Sequence, residues 1–240
     1  MSEKLDNYLK SLNKYQREAV ENTSGATLVL AGAGSGKTRV LTYKLLHLLV
    51  KKIIKPSQIL AVTFTNKAAN EMKSRVSNML NFPIDRMWLG TFHSLSLKIL
   101  RKHFEKVGLK QNFVIIDTDD QIKLIKKICD QEKIDTKDIS PKFFVSAIDN
   151  LKNKGIFFNE LKVNKYKNND EELRTVYKIY QEELLRINCV DFGDLILLCI
   201  KLFKENDIVK KYYQNLFNFI LVDEYQDINF IQQKWLEYLY

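Results

Sequence analysis

The stretch from Leu28 to Leu41, LVLAGAGSGKTRVL, constrains this chain more than any other. An apolar run, Leu28-Val29-Leu30, feeds a turn of small residues: Ala31, Gly32, Ala33, Gly34, Ser35 and Gly36. At Lys37 and Thr38 the turn opens directly into an amphipathic helix. A strand, a glycine-rich turn and a helix in that order form the setting of a phosphate cradle. Glycines let backbone N–H groups crowd around an anion, and the helix N-terminus adds its partial positive charge. The pattern follows G-x-x-x-x-G-K-[ST] except at Ala31, which stands in place of the first glycine. It predicts a bound nucleoside triphosphate, with Lys37 reaching the terminal phosphates and Thr38 offering its hydroxyl to Mg²⁺. The bland alternative, a turn that merely joins strand to helix, leaves the flanking context unexplained.

The rest of the chain reads as alternating elements. Asn13 opens a helical run containing Gln16, Ala19 and Val20, in which periodicity alone makes Gln16 a solvated residue. The helix after the loop carries a core stripe at Leu41, Leu45, Leu48 and Leu49. Ile59 to Thr65 reads as a buried parallel strand, followed by a helix from about Lys67 to Leu80. Met87 to Phe92 leads into a helix over 94–107 that is closed by Gly108. Phe113 to Asp117 reads as a further strand. From Asp119 to about Asn188 only helical periodicity appears, with Ser140-Pro141 as a helix start and Asn168-Asn169 in a polar patch suited to a loop. Asp191 to Phe203 is one more helix, and Phe219 to Val222 is a last strand running into Asp223-Glu224.

Strands alternating with helices predict an α/β fold with a doubly wound parallel sheet and an inserted all-helical subdomain. Ligands of such sheets bind beyond the carboxyl ends of the strands. Lys37, Thr65, His93 and Asp223 all fall at such ends. Asp223 can share Mg²⁺ with Thr38, while Glu224 can orient or deprotonate an attacking water. An Asp-Glu pair by itself is an ordinary solvated strand end; the phosphate loop gives this pair a partner.

Net charge is +9, and residues 1–119 hold 19 basic against 9 acidic groups, so the positive excess lies in the same segment as the loop. That distribution fits a polyanionic partner as well as it fits general solubility. The 31 lysines against 7 arginines suit point-charge attraction to phosphate rather than bidentate base reading. Three cysteines without metal-ligand spacing predict a reduced, cytoplasmic chain. No leader pattern follows Met1 and no apolar run approaches membrane-spanning length, so no membrane partner is expected.

Six segments in order resemble the N-terminal part of superfamily 1 DNA helicases of the UvrD/PcrA/Rep type. They are Leu12-Asn13 with Gln16, Ala31 to Arg39, Thr63 to Ala69, Thr91-Phe92-His93-Ser94, Asp191 to Leu195, and Val222 to Asp227. That family's phosphate loop also begins with alanine. The resemblance implies a P-loop NTPase, RecA-like motor domain over 1–115 and 190–240 with a helical insert over 116–189. It implies ATP and Mg²⁺ as cofactors, and single-stranded DNA and single/double-strand junctions as partners. Gln16 would read the adenine edge, Arg39 would lie against the base, and Gln226 would couple the nucleotide site to its neighbours. Phe64 and Phe192, core residues by pattern alone, would line the DNA track, where an exposed ring stacks on any base. Thr65, Asn66, Thr91 and His93 would contact the sugar–phosphate backbone. Ile228 departs from the family, which commonly has Thr there.

The implied function is 3′-to-5′ ATP-driven unwinding in DNA repair or replication. A second motor domain, which would supply arginines to the transferring charge, is expected beyond this chain, so the chain alone should be nearly inactive. A nucleotide- and DNA-binding module without turnover is the alternative. A kinase or metabolic ATPase would leave Thr63–Ala69 and the Glu224-Tyr225-Gln226-Asp227 run without a purpose.

Overall fold

The computed structural model describes residues 8–32, 34–80, 84, 86–136, 139–161 and 170–240. Ala33 and the Asn168-Asn169 patch lie outside the described residues. In chain order the elements are α1 (Lys14–Glu21), α2 (Lys37–Val50), β1 (Ile59–Val62), α3 (Asn66–Leu80), β2 (Trp88–Gly90), α4 (Phe92–His103), β3 (Val114–Ile115) and α5 (Thr118–Gln131). They continue with α6 (Pro141–Asn153), α7 (Asp170–Arg186), β4 (Cys189–Val190), α8 (Phe192–Glu205), α9 (Asp207–Leu216), β5 (Phe219–Val222) and α10 (Phe230–Glu237). Two compact units result: Met1–Leu95 with Lys211–Asp227, and Ser96–Lys210 with Ile228–Tyr240. The chain passes between them within α4, within α9 and again after Asp227.

The first unit is built on a three-stranded parallel sheet in the order β2-β1-β5. Leu60 pairs with Trp88 on one side of β1 and with Ile220 on the other. Every residue of β1 is buried, which explains its uninterrupted apolar sequence ILAV. Leu45, Leu46, Leu48 and Leu49 of α2 pack with Ile59 and Ala61 of β1 and with Met72, Val76 and Leu80 of α3. Trp88 meets Tyr213 and Phe217 edge-on, with ring centroids 5.6 and 5.4 Å away.

Two strand expectations are corrected. Leu28 and Leu30 are 69% and 85% exposed, and Leu28-Val29-Leu30 joins no ladder. A strand needs a neighbour to take its backbone N–H and C=O groups. Both edges of β1 are taken by β2 and β5, and among the described residues this run pairs with neither outer strand. Phe113 to Asp117 shortens to Val114–Ile115, which pairs with Cys189–Val190 in a separate parallel ladder of the second unit. It does not extend the main sheet.

The second unit is mostly helical. Ile125, Ile128 and Cys129 of α5, Phe144, Val145 and Ile148 of α6, and Val176, Tyr177, Tyr180 and Leu184 of α7 form one core. Two of its helix starts have a local cause: Asp117 caps α5 through the Asp120 N–H, and Ser140 caps α6 with Pro141 at its first position. On α10, Trp235 is fully buried and its indole N–H donates to Cys199 Sγ at 3.2 Å. Residues 96–115 and 190–210 belong to this unit, so it extends beyond the helical stretch over 116–189. Among the described residues, no helix is long and apolar enough to cross a membrane.

Candidate functional site

The phosphate loop keeps its shape because Gly34 and Gly36 take left-handed backbone angles, φ 74° and 90°. Residues with side chains rarely adopt these values. Gly36 also starts α2, and a Cβ there would lie 3.2 Å from Gln16 Nε2. Ser35 Oγ donates to the Gly32 carbonyl at 2.7 Å. Lys37 bends back over the loop and donates to the carbonyls of Ala31 and Gly32, at 3.2 and 3.4 Å. These are neutral, exposed acceptors, readily exchanged for a phosphate oxygen.

Gln16 is fixed at both ends of its amide. Its Oε1 accepts the Asn13 N–H at 3.1 Å in a capping box, and its Nε2 donates to the Ser35 carbonyl at 3.0 Å. The helix that carries Gln16 is therefore tied to the loop itself. Arg39 donates to the Ser11 carbonyl at 2.9 Å and lies over the Tyr43 ring, 5.4 Å from its centroid.

Across 185 positions of chain, Thr38 Oγ1 donates to Asp223 Oδ2 at 3.5 Å. Asp223 follows β5, and its N–H continues the ladder to Val62 O at 2.9 Å. The carboxyl of Asp223 is held above the usual range by burial first and then by repulsion from Glu224. Hydrogen bonds from the Glu224 N–H and Thr38, and the charge of Lys37, act the other way. Glu224 has a left-handed φ of 48°, a conformation uncommon for a residue with a side chain. Gln226 Nε2 donates to Glu224 Oε2 at 2.5 Å and to Asp227 Oδ2 at 3.2 Å, so it restrains the second acid.

The remaining candidates of the first unit follow the neighbouring strands. Thr63 N–H donates to Gly90 O at 3.0 Å, which brings the ends of β1 and β2 side by side. Phe64 is 56% exposed there, the reverse of a core assignment. Thr65 Oγ1 accepts the Ala68 N–H at 3.1 Å, at the start of α3 where Asn66 stands. Thr91 Oγ1 accepts the Ser94 N–H at 3.3 Å and caps α4. His93 is half-buried, and burial pulls its imidazole below its ordinary value, which favours the neutral ring. Phe192, in the second unit, is also 56% exposed.

A family model for the UvrD/REP helicase N-terminal domain matches residues 12–240. The chain belongs to this family. It is 45% identical over 221 residues to the ATP-dependent DNA helicase PcrA of Staphylococcus epidermidis, and 44% identical over 221 residues to that of Staphylococcus aureus. In each case the match covers 92% of this chain and 30% of the relative's length.

Within this UvrD/REP-family chain, two polar anchors escaped the sequence reading. Lys44 is buried on α2 and donates to the carbonyls of Ala19 and Val20, at 3.3 and 3.1 Å, and to that of Asn22. It gathers the end of α1, the helix that positions Gln16, and burial lowers its ammonium. Lys152, fully buried in the second unit, bridges Asp191 and Asp194. The available signal was periodicity: Phe144, Ile148 and Lys152 succeed one another at four-residue spacing on a buried face.

Proposed function

We propose that this chain is the nucleotide-binding front part of an ATP-dependent 3′-to-5′ DNA helicase. The three-stranded sheet β2-β1-β5 belongs to a RecA-like motor domain assigned to 1–115 and 190–240, and the segment 116–189 is assigned to a helical insert. The observation that carries the reading is the approach of Thr38 to Asp223, which closes the phosphate loop against the acidic strand end.

The loop N–H groups and the start of α2 bind the phosphates. Lys37 leaves the carbonyls of Ala31 and Gly32 to reach the terminal ones. Gln16 exchanges its bond to Ser35 for the adenine edge, and Arg39 lies against the base. Glu224 accepts hydrogen bonds from an attacking water and can take its proton, while Gln226 holds that carboxylate in place. Thr38 and Asp223 are hard oxygen donors of the kind that hold Mg²⁺ together with phosphate oxygens. Crowding of Asp223 by burial and by Glu224 favours a cation there. When bound, Mg²⁺ would neutralise charge on the phosphates.

Single-stranded DNA and its junctions with duplex are the proposed partners, through Phe64, Thr65, Asn66, Thr91, His93 and Phe192. A second motor domain, in the same longer protein or a separate one, completes the cleft, and without it turnover is slow. Binding of a fluorescent ATP analogue with and without Mg²⁺ tests the core of this reading. Wild type binds in a Mg²⁺-dependent way, and Asp223→Asn and Thr38→Ala lose that dependence. Equal binding with and without Mg²⁺ in all three chains overturns it. ATPase rates with and without single-stranded DNA, on this chain and on one extended by a second motor domain, test the dependence on that domain.

A further inference from the structure

Behind Phe192 lies a buried polar cluster that an ordinary helix start does not require. Asp191 caps α8: its Oδ1 accepts the Asp194 N–H at 2.9 Å, and Asp194 Oδ2 accepts the Asp191 N–H at 3.2 Å. That exchange alone satisfies the helix end. The other two carboxylate oxygens point to Lys152, whose Nζ lies 2.6 Å from Asp191 Oδ2 and 2.7 Å from Asp194 Oδ1. Tyr180 donates its hydroxyl to Asp191 Oδ2 at 2.9 Å, and Gln181 Nε2 donates to Asp194 Oδ1 at 3.1 Å. All four oxygens are thus bonded, and the cap of α8 is tied to α6 through Lys152 and to α7 through Tyr180 and Gln181.

Gly193 makes the approach of the lysine possible. A Cβ at Gly193 would lie 2.9 Å from Lys152 Cδ and 3.1 Å from Lys152 Cβ. Any side chain there would push the stem away. Buried ion pairs contribute little net stability compared with apolar packing, because desolvation offsets attraction. What this one adds is geometry, since charged hydrogen bonds fix the rotation and tilt of the helix start. The residue fixed most directly is Phe192, between the cap and Gly193, with its ring exposed.

We propose that Lys152, Asp191 and Asp194 are positioning residues that set the direction in which Phe192 presents its ring to a nucleic-acid base. This rests on the proposed DNA contact of Phe192. Lys152→Met alone strands two buried carboxylates, so the test uses Lys152→Met/Asp191→Asn/Asp194→Asn, in which asparagine keeps both cap acceptors and no charge is left. The full chain, Phe192→Ala, the triple variant and Gly193→Ala are each titrated with an oligo-dT and with an abasic oligonucleotide of equal length, across a salt series and alongside thermal melts.

Affinity for oligo-dT is expected to fall about tenfold in all three variants, since each one weakens the stacking of a base on the Phe192 ring. Abasic binding and the salt slope, which report phosphate contacts, stay at wild type. Gly193→Ala retains every charge, so the test survives if the triple variant does not fold. A folded triple variant or Gly193→Ala with full oligo-dT affinity, beside a Phe192→Ala that binds weakly, overturns the positioning role. Equal losses on both oligonucleotides also overturn it, because they indicate a general structural role. Full oligo-dT affinity in Phe192→Ala instead overturns the DNA contact beneath it.

Discussion

The phosphate loop and the Lys152 cluster both set a lysine among oxygen acceptors, and they behave in opposite ways. Lys37 donates to neutral backbone carbonyls at 3.2 and 3.4 Å on an exposed loop. Lys152 sits at 0% exposure between two carboxylates, all four of whose oxygens are bonded. The first arrangement is weak and exchangeable, as a ligand site requires. The second is buried and engages all four carboxylate oxygens within the protein, so it fixes shape. Polarity alone does not mark a binding site; spare hydrogen-bonding capacity does.

The contrast is broken or sharpened most strongly at the two lysines. Lys152→Met is expected to cost about 3–5 kcal/mol in a urea melt, the usual result of removing one partner from a buried ion cluster. Lys37→Met should leave the midpoint within about 0.5 kcal/mol, as surface changes do, yet abolish tight binding of the ATP analogue. Similar melting losses in the two variants would erase the distinction between them. A smaller effect is expected for Phe64→Ala, which should weaken single-stranded DNA binding by about 1–3 kcal/mol in a fluorescence titration while stability holds. Undiminished affinity there would remove Phe64 from the DNA surface.

The smallest expected effect is a pH dependence confined to the closed cluster. The Asp194 carboxyl is pushed up to about 6, by burial first and then by the charge of Asp191, with Lys152 opposing. A folded value above the unfolded one means that protonation favours the fold. That contribution is complete below the unfolded value near 3.8 and is lost as pH rises through about 6. Asp194→Asn carries no such proton. The difference in melting temperature between wild type and Asp194→Asn should therefore move toward wild type as pH falls from 7 to 5. A difference that stays flat across that window would show that Asp194 does not titrate there.

Much of the local structure was legible residue by residue. Asn13, Ser140 and Asp191 start helices because each places a side-chain oxygen on a free N–H three residues on. ILAV and FILV are strands because short β-branched runs suit a sheet. Other features were not legible. Helix α9 had no expectation attached to it, and its apolar residues divide between an exposed Ile208 and buried Val209 and Tyr213. Phe64 and Phe192 look like core residues by pattern alone; the family resemblance led to the opposite expectation, and both are 56% exposed.

The order of residues by itself determined the phosphate loop, its helix, the acidic strand end and most helix starts, because these depend on backbone geometry and contacts a few residues apart. The tertiary structure decided which strands pair, that Leu28-Val29-Leu30 stays outside the ladder, and which distant residues meet. Thr38 and Asp223, or Lys152 and Asp194, come together only after sheet edges are assigned and helix faces are buried. Those choices depend on competition among all the elements at once, which no local period encodes.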